Sequence, residues 1–124
     1  MTVALVTTNQ DYVQWDVEWT LGDDIVLELN WKEGPTDLSL QTVDFSGCVG
    51  VCQIKSEALG AALDSFDVTL DSTSPNIRMG LPKVRCAALK AGKFKFDLQI
   101  TDTAGKDRTY VKGTLKLVQD VTRL

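Results

Sequence analysis

Hydrophobic residues recur at every second position over most of this chain. Val13, Trp15, Val17 and Trp19 alternate with Gln14, Asp16 and Glu18, which predicts a strand with one buried and one wet face. Leu21-Gly22-Asp23-Asp24 breaks the alternation. Ile25, Leu27, Leu29 and Trp31 then restart it, and the short connection makes the two runs a hairpin candidate that ends at Lys32-Glu33-Gly34-Pro35. Past a loop at Asp37-Leu38-Ser39 and Phe45-Ser46-Gly47, Cys48, Gly50, Cys52 and Ile54 share a face opposite Val49, Val51, Gln53 and Lys55. Both faces are apolar enough for a central strand. Glu57 to Leu63 reads as a loop, because Gly60 weakens the short helical turn it would otherwise allow. Phe66, Val68 and Leu70 alternate, as do Ile77, Met79 and Leu81, and a Ser74-Pro75-Asn76 turn between them gives a second hairpin.

Pro82 to Ala91 is the one helix the pattern predicts, with Pro in its first turn and Gly92 at the left-handed C-cap. Phe94, Phe96, Leu98 and Ile100 form the clearest strand. Asp102 to Asp107 is a turn, and Val111, Gly113, Leu115 and Leu117 alternate with Tyr110, Lys112, Thr114 and Lys116 in a closing strand. About seven short strands joined by short links predict an all-β fold: an antiparallel, immunoglobulin-like β-sandwich with one short helix near 82–91. An up-and-down barrel is the alternative. The expected core includes Trp15, Trp31, Ile54, Phe96, Leu98 and Leu115.

A chain of 124 residues fits a single domain spanning 1–124, with a short C-terminal tail, 118–124, that has no partner strand in this reading. With 44% hydrophobic and 24% charged residues it has the make-up of a globular domain, and neither a membrane-spanning run nor a secretory leader is expected. Histidine is absent, which removes Ser/His and Cys/His nucleophile pairs, histidine bases and histidine-bound zinc. The expectation is therefore a non-enzymatic protein with no cofactor and no metal. Three cysteines, Cys48, Cys52 and Cys86, fit buried free thiols; Cys48 and Cys52 stand roughly 13 Å apart along one strand, too far for a disulfide.

Charge sharpens this picture. Residues 1–41 hold eight acids against Lys32, residues 42–82 hold five acids against two bases, and residues 83–124 hold ten bases against four acids. Lys93, Lys95, Lys112 and Lys116 are expected on the outer face of two neighbouring strands. Phe94 and Phe96 point inward beside them, so stacking rings for single-stranded nucleic acid are missing apart from Tyr110, and a protein interface is the preferred reading. If early and late strands lie in different sheets, Asp16, Glu18 and Glu28 make the opposite face acidic. Such a division favours an assembly in which the basic face and the tail, through Val121, Arg123 and Leu124, contact another subunit. Asp102 and Asp107 flank a glycine loop but lack the calcium-ligand ladder and are read as a turn, as are Asp23 and Asp24. Trp15, Trp19 and Trp31 are weighed as a sugar-stacking platform and assigned to the core.

Several segments also resemble a known group. Leu21-Gly22-Asp23-Asp24-Ile25 through Leu29-Asn30-Trp31, followed by Asp44-Phe45-Ser46-Gly47 and Cys52-Gln53-Ile54-Lys55, is similar to small structural proteins of tailed bacteriophages. Their pattern reads "GD, alternating strand, W, then D-L-T-G before a strand ending in Q-I-R". Ala88-Leu89-Lys90-Ala91-Gly92-Lys93-Phe94-Lys95-Phe96-Asp97-Leu98 resembles that group's "A-L-x-A-G-x-Y-x-Y-D-L", and Asp120-Val121-Thr122-Arg123 its closing "D-V-T-R". The likeness spans about residues 21–124. It departs at Phe94 and Phe96, where tyrosines are usual, and in a longer, Trp-containing N-terminal strand. The resemblance implies a virion protein of the tail, baseplate or fibre-attachment region whose partners are other virion proteins, in a homo- or hetero-oligomer, with neither nucleic acid nor membrane. A capsid decoration protein and a carbohydrate-binding module are the alternatives.

Overall fold

The computed structural model describes residues 2–7 as backbone, and residues 12–34, 39–57, 60–73 and 75–119 with their side chains. Among these are strands β1 (Thr2–Thr7), β2 (Val13–Gln14), β3 (Val17–Thr20), β4 (Ile25–Glu33), β5 (Gln41–Thr42), β6 (Val49–Ser56), β7 (Ala62–Leu70), β8 (Ile77–Leu81), β9 (Gly92–Thr101) and β10 (Asp107–Val118), with one short helix, α1 (Lys83–Leu89), between β8 and β9. The protein is all-β. Its pairing runs β1-β4-β8-β7-β6-β9-β10-β2, with β3 also on β10 and β5 on β4. β7 links the two halves: Ala62 to Phe66 pair with β6, and Asp67 to Leu70 pair with β8. The sheet therefore curls around one core, in which Leu27, Leu29, Trp31, Ile77 and Met79 from one side meet Cys52, Ile54, Phe96, Leu98 and Leu115 from the other.

The pairing is mixed. β1 runs parallel to β4, and β2 and β3 run parallel to β10, so the expected antiparallel arrangement holds for the remaining pairs and fails at the N-terminal segments. Nor do the first two alternating runs form a hairpin. β3 ends where the Leu21 N–H donates to the Val118 carbonyl of β10 at 2.8 Å. Gly22, at φ +90, then carries the chain away to β4, whose antiparallel partner is β8. Alternation records which face of a strand is buried, and a strand in either half of the curl buries the same pattern, so the partner is invisible to it. Gly113 fixes the choice locally: a Cβ there would lie 1.7 Å from the Trp15 carbonyl oxygen, so only glycine lets the β2–β3 segment lie this close to β10.

Other elements follow the pattern more closely. β7 and β8 form the second hairpin, with Val68 opposite Met79 and Leu70 opposite Ile77. β7 starts earlier than its alternation suggests, because Ala62 and Leu63 are exposed and Asp64 is half-buried. α1 is shorter than the 82–91 expected, with Pro82 at its N-cap. The Asp24 carboxylate accepts the Lys83 N–H at 2.7 Å, satisfying one free amide of the first turn from a distant loop. The residue with positive φ at the C-cap is Lys90 (φ 67), while Gly92 opens β9. Of the expected core, Trp31, Ile54, Phe96, Leu98 and Leu115 are buried and Trp15 is half-buried against them. The three cysteines are free, Cys52 and Cys86 buried and Cys48 half-buried. Burial pushes the Cys52 thiol pKa far up.

Two polar devices hold the curl. Beyond Leu29, which pairs with Ile77, the β4–β8 ladder would next bring Pro75 opposite Trp31, and Pro75 has no N–H to donate. The buried Asn76 side chain takes over: it accepts the Trp31 N–H at 2.8 Å and donates to the Trp31 and Val43 carbonyls at 2.9 and 2.8 Å. At the other end, Arg85 of α1 binds Asp64 at 2.7 Å and Asp67 at 3.1 Å, joining the helix to both halves of β7. Arg85 holds the Asp64 carboxyl below its usual 3.8, helped by the Ser65 N–H and opposed by desolvation.

Asn76→Ala leaves the Trp31 N–H without a partner and frees the Val43 carbonyl. It is expected to cost about 2–3 kcal/mol, read as a lower urea midpoint with an unchanged slope. Because the Asp64 pKa is lowered in the folded state, its contribution is fully present above the usual carboxyl value and is lost as pH falls through the depressed one. Stability measured against pH should thus be less acid-sensitive in Asp64→Asn than in the parent.

Candidate functional site

β9 lies between β6 and β10, and its outward residues order the sheet surface into rows. In the first row Lys93 stands opposite Lys116, which is level with Glu18 of β3. In the second, Lys95 has Lys55 on one side and Thr114 on the other. Thr114 donates to the Asp16 carboxylate through its N–H at 3.2 Å and its hydroxyl at 2.9 Å. In the third, Asp97 stands between Gln53 and Lys112, with Gln14 beyond. Farther along, Val51 lies beside Gln99 and Val49 beside Thr101.

The four lysines expected to share an outer face therefore do so, all exposed, and the half-buried Lys55 joins them. The sequence puts Lys55 on the outer face of its strand but carries no sign that this strand neighbours β9. Two rows set like charges directly across from one another, Lys55 against Lys95 and Lys93 against Lys116, an arrangement that destabilises a sheet. Lys116 reaches Glu18 at 3.6 Å, a weak exposed pair, and Lys112 lies 4.6 Å from the Tyr12 ring centre. Among the described residues, Lys55, Lys93 and Lys95 make no ion pair. Between the side chains of Gln14, Lys55, Lys95, Asp97, Lys112 and Thr114 lies a depression of ≈ 460 Å³. A second, of ≈ 330 Å³, adjoins Asp16, Glu18, Glu57, Lys93 and Lys116. Ammonium groups in this setting can bind carboxylates or other anions through charge-assisted hydrogen bonds. Val121, Arg123 and Leu124 lie outside the described residues.

The acidic half of the expected charge division is not on an opposite face. Asp16 and Glu18 border the lysine rows themselves, because β2 and β3 pair with β10. Gln14, then Thr114, hold the Asp16 carboxyl below its usual range. Glu28 is buried and bound to Arg78 at 3.2 Å. The two-face dipole thus becomes a lysine patch with an acidic margin.

Three other groups resolve as structural. Trp31 is fully buried and donates from Nε1 to Glu33 at 2.9 Å, whereas Trp15 and Trp19 are half-buried near β10, so no flat tryptophan surface forms. Tyr110, expected outside, occupies a bulge between Thr109 and Val111, which turns it toward the core. There it packs edge-on against Trp31 and Phe45 at 4.8 and 5.5 Å, under the Arg108 guanidinium that Glu33 holds at 2.7 Å. The Asp102 carboxylate accepts the Ala104 and Lys106 N–H groups, both at 2.9 Å, as a turn residue does.

No protein-family profile and no curated protein matches the chain. Among solved structures, it is similar to part of a family 123 glycoside hydrolase from Clostridium perfringens, studied for the details of glycolipid glycan hydrolysis. The likeness has a TM-score of 0.43 at 12% identity and covers 90% of this chain and 24% of that one.

The like-charge rows give a direct expectation for stability. Changing Lys93 and Lys95 together to Glu puts an opposite charge into each row. The isolated protein should unfold at higher urea, by a few tenths to about 1 kcal/mol per row, with the gain shrinking as salt is added.

Proposed function

We propose that this chain is a non-enzymatic structural or adaptor subunit of a bacteriophage virion, in the tail, baseplate or fibre-attachment region, and that it docks on a neighbouring subunit through its lysine face. One observation carries the reading: Lys55 and Lys95, and Lys93 and Lys116, face each other at a cost to folding, on a surface where lysines outnumber the acids at its margin. A repulsion that the fold tolerates is relieved when a partner brings carboxylates to it. The resemblance of residues 21–124 to small phage structural proteins supports the same reading.

The immunoglobulin-like sandwich belongs to this proposal as well. Its support is the order β4-β8-β7 on one side of the core and β6-β9-β10 on the other, with the N-terminal β2–β3 segment flanking β10 in parallel. In such a frame the outer faces are free for neighbours while the inner faces are consumed by the core.

The test is incorporation into particles. A phage carrying Lys93→Glu with Lys95→Glu is expected to yield particles that lack the subunit, or no infectious particles, although the purified variant folds. Full incorporation would overturn the docking role. Fractionating parent particles into heads and tails decides the region: recovery with heads would favour a capsid decoration role over the tail.

A further inference from the structure

The lysine rows have a spacing as well as a charge. Lys93 and Lys95 are two residues apart on β9, so their rows are separated by one full strand repeat, about 6.6–7 Å. Within each row two lysines stand on directly opposed positions, with Cβ atoms about 4.5–5.5 Å apart, close enough for both ammonium groups to reach one carboxylate. The surface thus offers two carboxylate positions separated by the distance between alternate side chains of an extended strand.

The chain already contains the matching pattern. Asp16 and Glu18, two residues apart on the adjoining edge, lie in these same two rows, Asp16 bound to Thr114 and Glu18 to Lys116. They satisfy the β10 margin of the rows and leave Lys55, Lys93 and Lys95 facing outward. In the other direction along β9 the rows change character, from the mixed Asp97 row to Val51 and Val49, which are 50% and 63% exposed. The face is therefore directional, with anion-binding rows at one end and apolar rows at the other.

We propose that the lysine face receives a β-strand of a neighbouring protein subunit bearing two carboxylates two residues apart, with apolar residues farther along where it crosses Val51 and Val49. This rests on the docking reading above and adds the chemistry and register of the partner. A polyphosphate backbone fits less well. It carries charge along its whole length, so Asp97 repels it in the third row and the valine rows give it no contact, and the rings of Phe94 and Phe96 are turned into the core, so no base can stack on them.

Whole particles test it in two steps. Acetylation of lysines, mapped by mass spectrometry in particles and in the free protein, reports whether the face is covered; Lys93 and Lys95 should react several-fold more slowly in particles. Carbodiimide treatment then couples amines directly to touching carboxylates. The expected products join Lys55 or Lys95 to one acid, and Lys93 or Lys116 to another two residues away, on a single strand of a different chain. Protection without such pairs, coupling to acids that are not two apart, or protection that nuclease treatment of opened particles abolishes would overturn the register proposal and leave a covered face. Equal acetylation in particles and in the free protein would overturn the docking reading itself.

Discussion

The closure of this fold depends on what happens to β4 at Trp31. Its largest core side chain sits where the ladder to β8 runs out, and the residue that would continue that ladder is proline. A buried, unpaired N–H at that point would cost about as much as a hydrogen bond is worth when lost, 1–3 kcal/mol. Asn76 removes the cost by presenting its carboxamide as a substitute peptide unit, and its second donor draws in the Val43 carbonyl. With Trp31 held, its indole can support Tyr110, which comes from the far side of the curl through the bulge in β10. Glu33 and Arg108 cover the same junction, so both halves of the sheet meet at one tryptophan.

The opposite end is tied differently. There Arg85 and Asp24 connect α1 to β7 and to the loop before β4, using charge and a capped amide in place of aromatic packing. β2 and β3 cover the edge of β10 that β9 leaves open, and Gly113 gives Trp15 the room to do it. That covering strand also brings Asp16 and Glu18 to the margin of the lysine rows. One structural requirement, protecting an edge, thereby sets the electrostatics of the outer face.

Well-satisfied and poorly satisfied charge are sharply separated in this molecule. Among the described residues no buried side-chain polar atom lacks a partner, and Arg85, Arg108 and Arg78 each have a carboxylate. Among the same residues Lys55, Lys93 and Lys95 make no ion pair. Exposed lysines on a sheet are ordinary; lysines placed across from lysines are not, since a single exchange for Glu would relieve each row. The local conflict is what gives the face a claim to function.

Period-two alternation was enough to establish the all-β class, the buried faces of β4, β8, β9 and most of β10, the second hairpin and the lysine set of β9 and β10. These follow from side chains alternating between faces, a property each strand carries alone. The sequence did not determine partners: β3 lies on β10 and not on β4, Lys55 joins Lys95, and Asp16 and Glu18 sit beside the lysines and not opposite them. Register between strands distant in sequence depends on the mutual fit of the whole core and on single contacts such as Gly113 against Trp15, and neither has a local signal. Tyr110 departs from the alternation for the same reason. A bulge turns two successive residues, Tyr110 and Val111, toward the core, and only pairing with β9 and packing on Trp31 decide where the bulge falls.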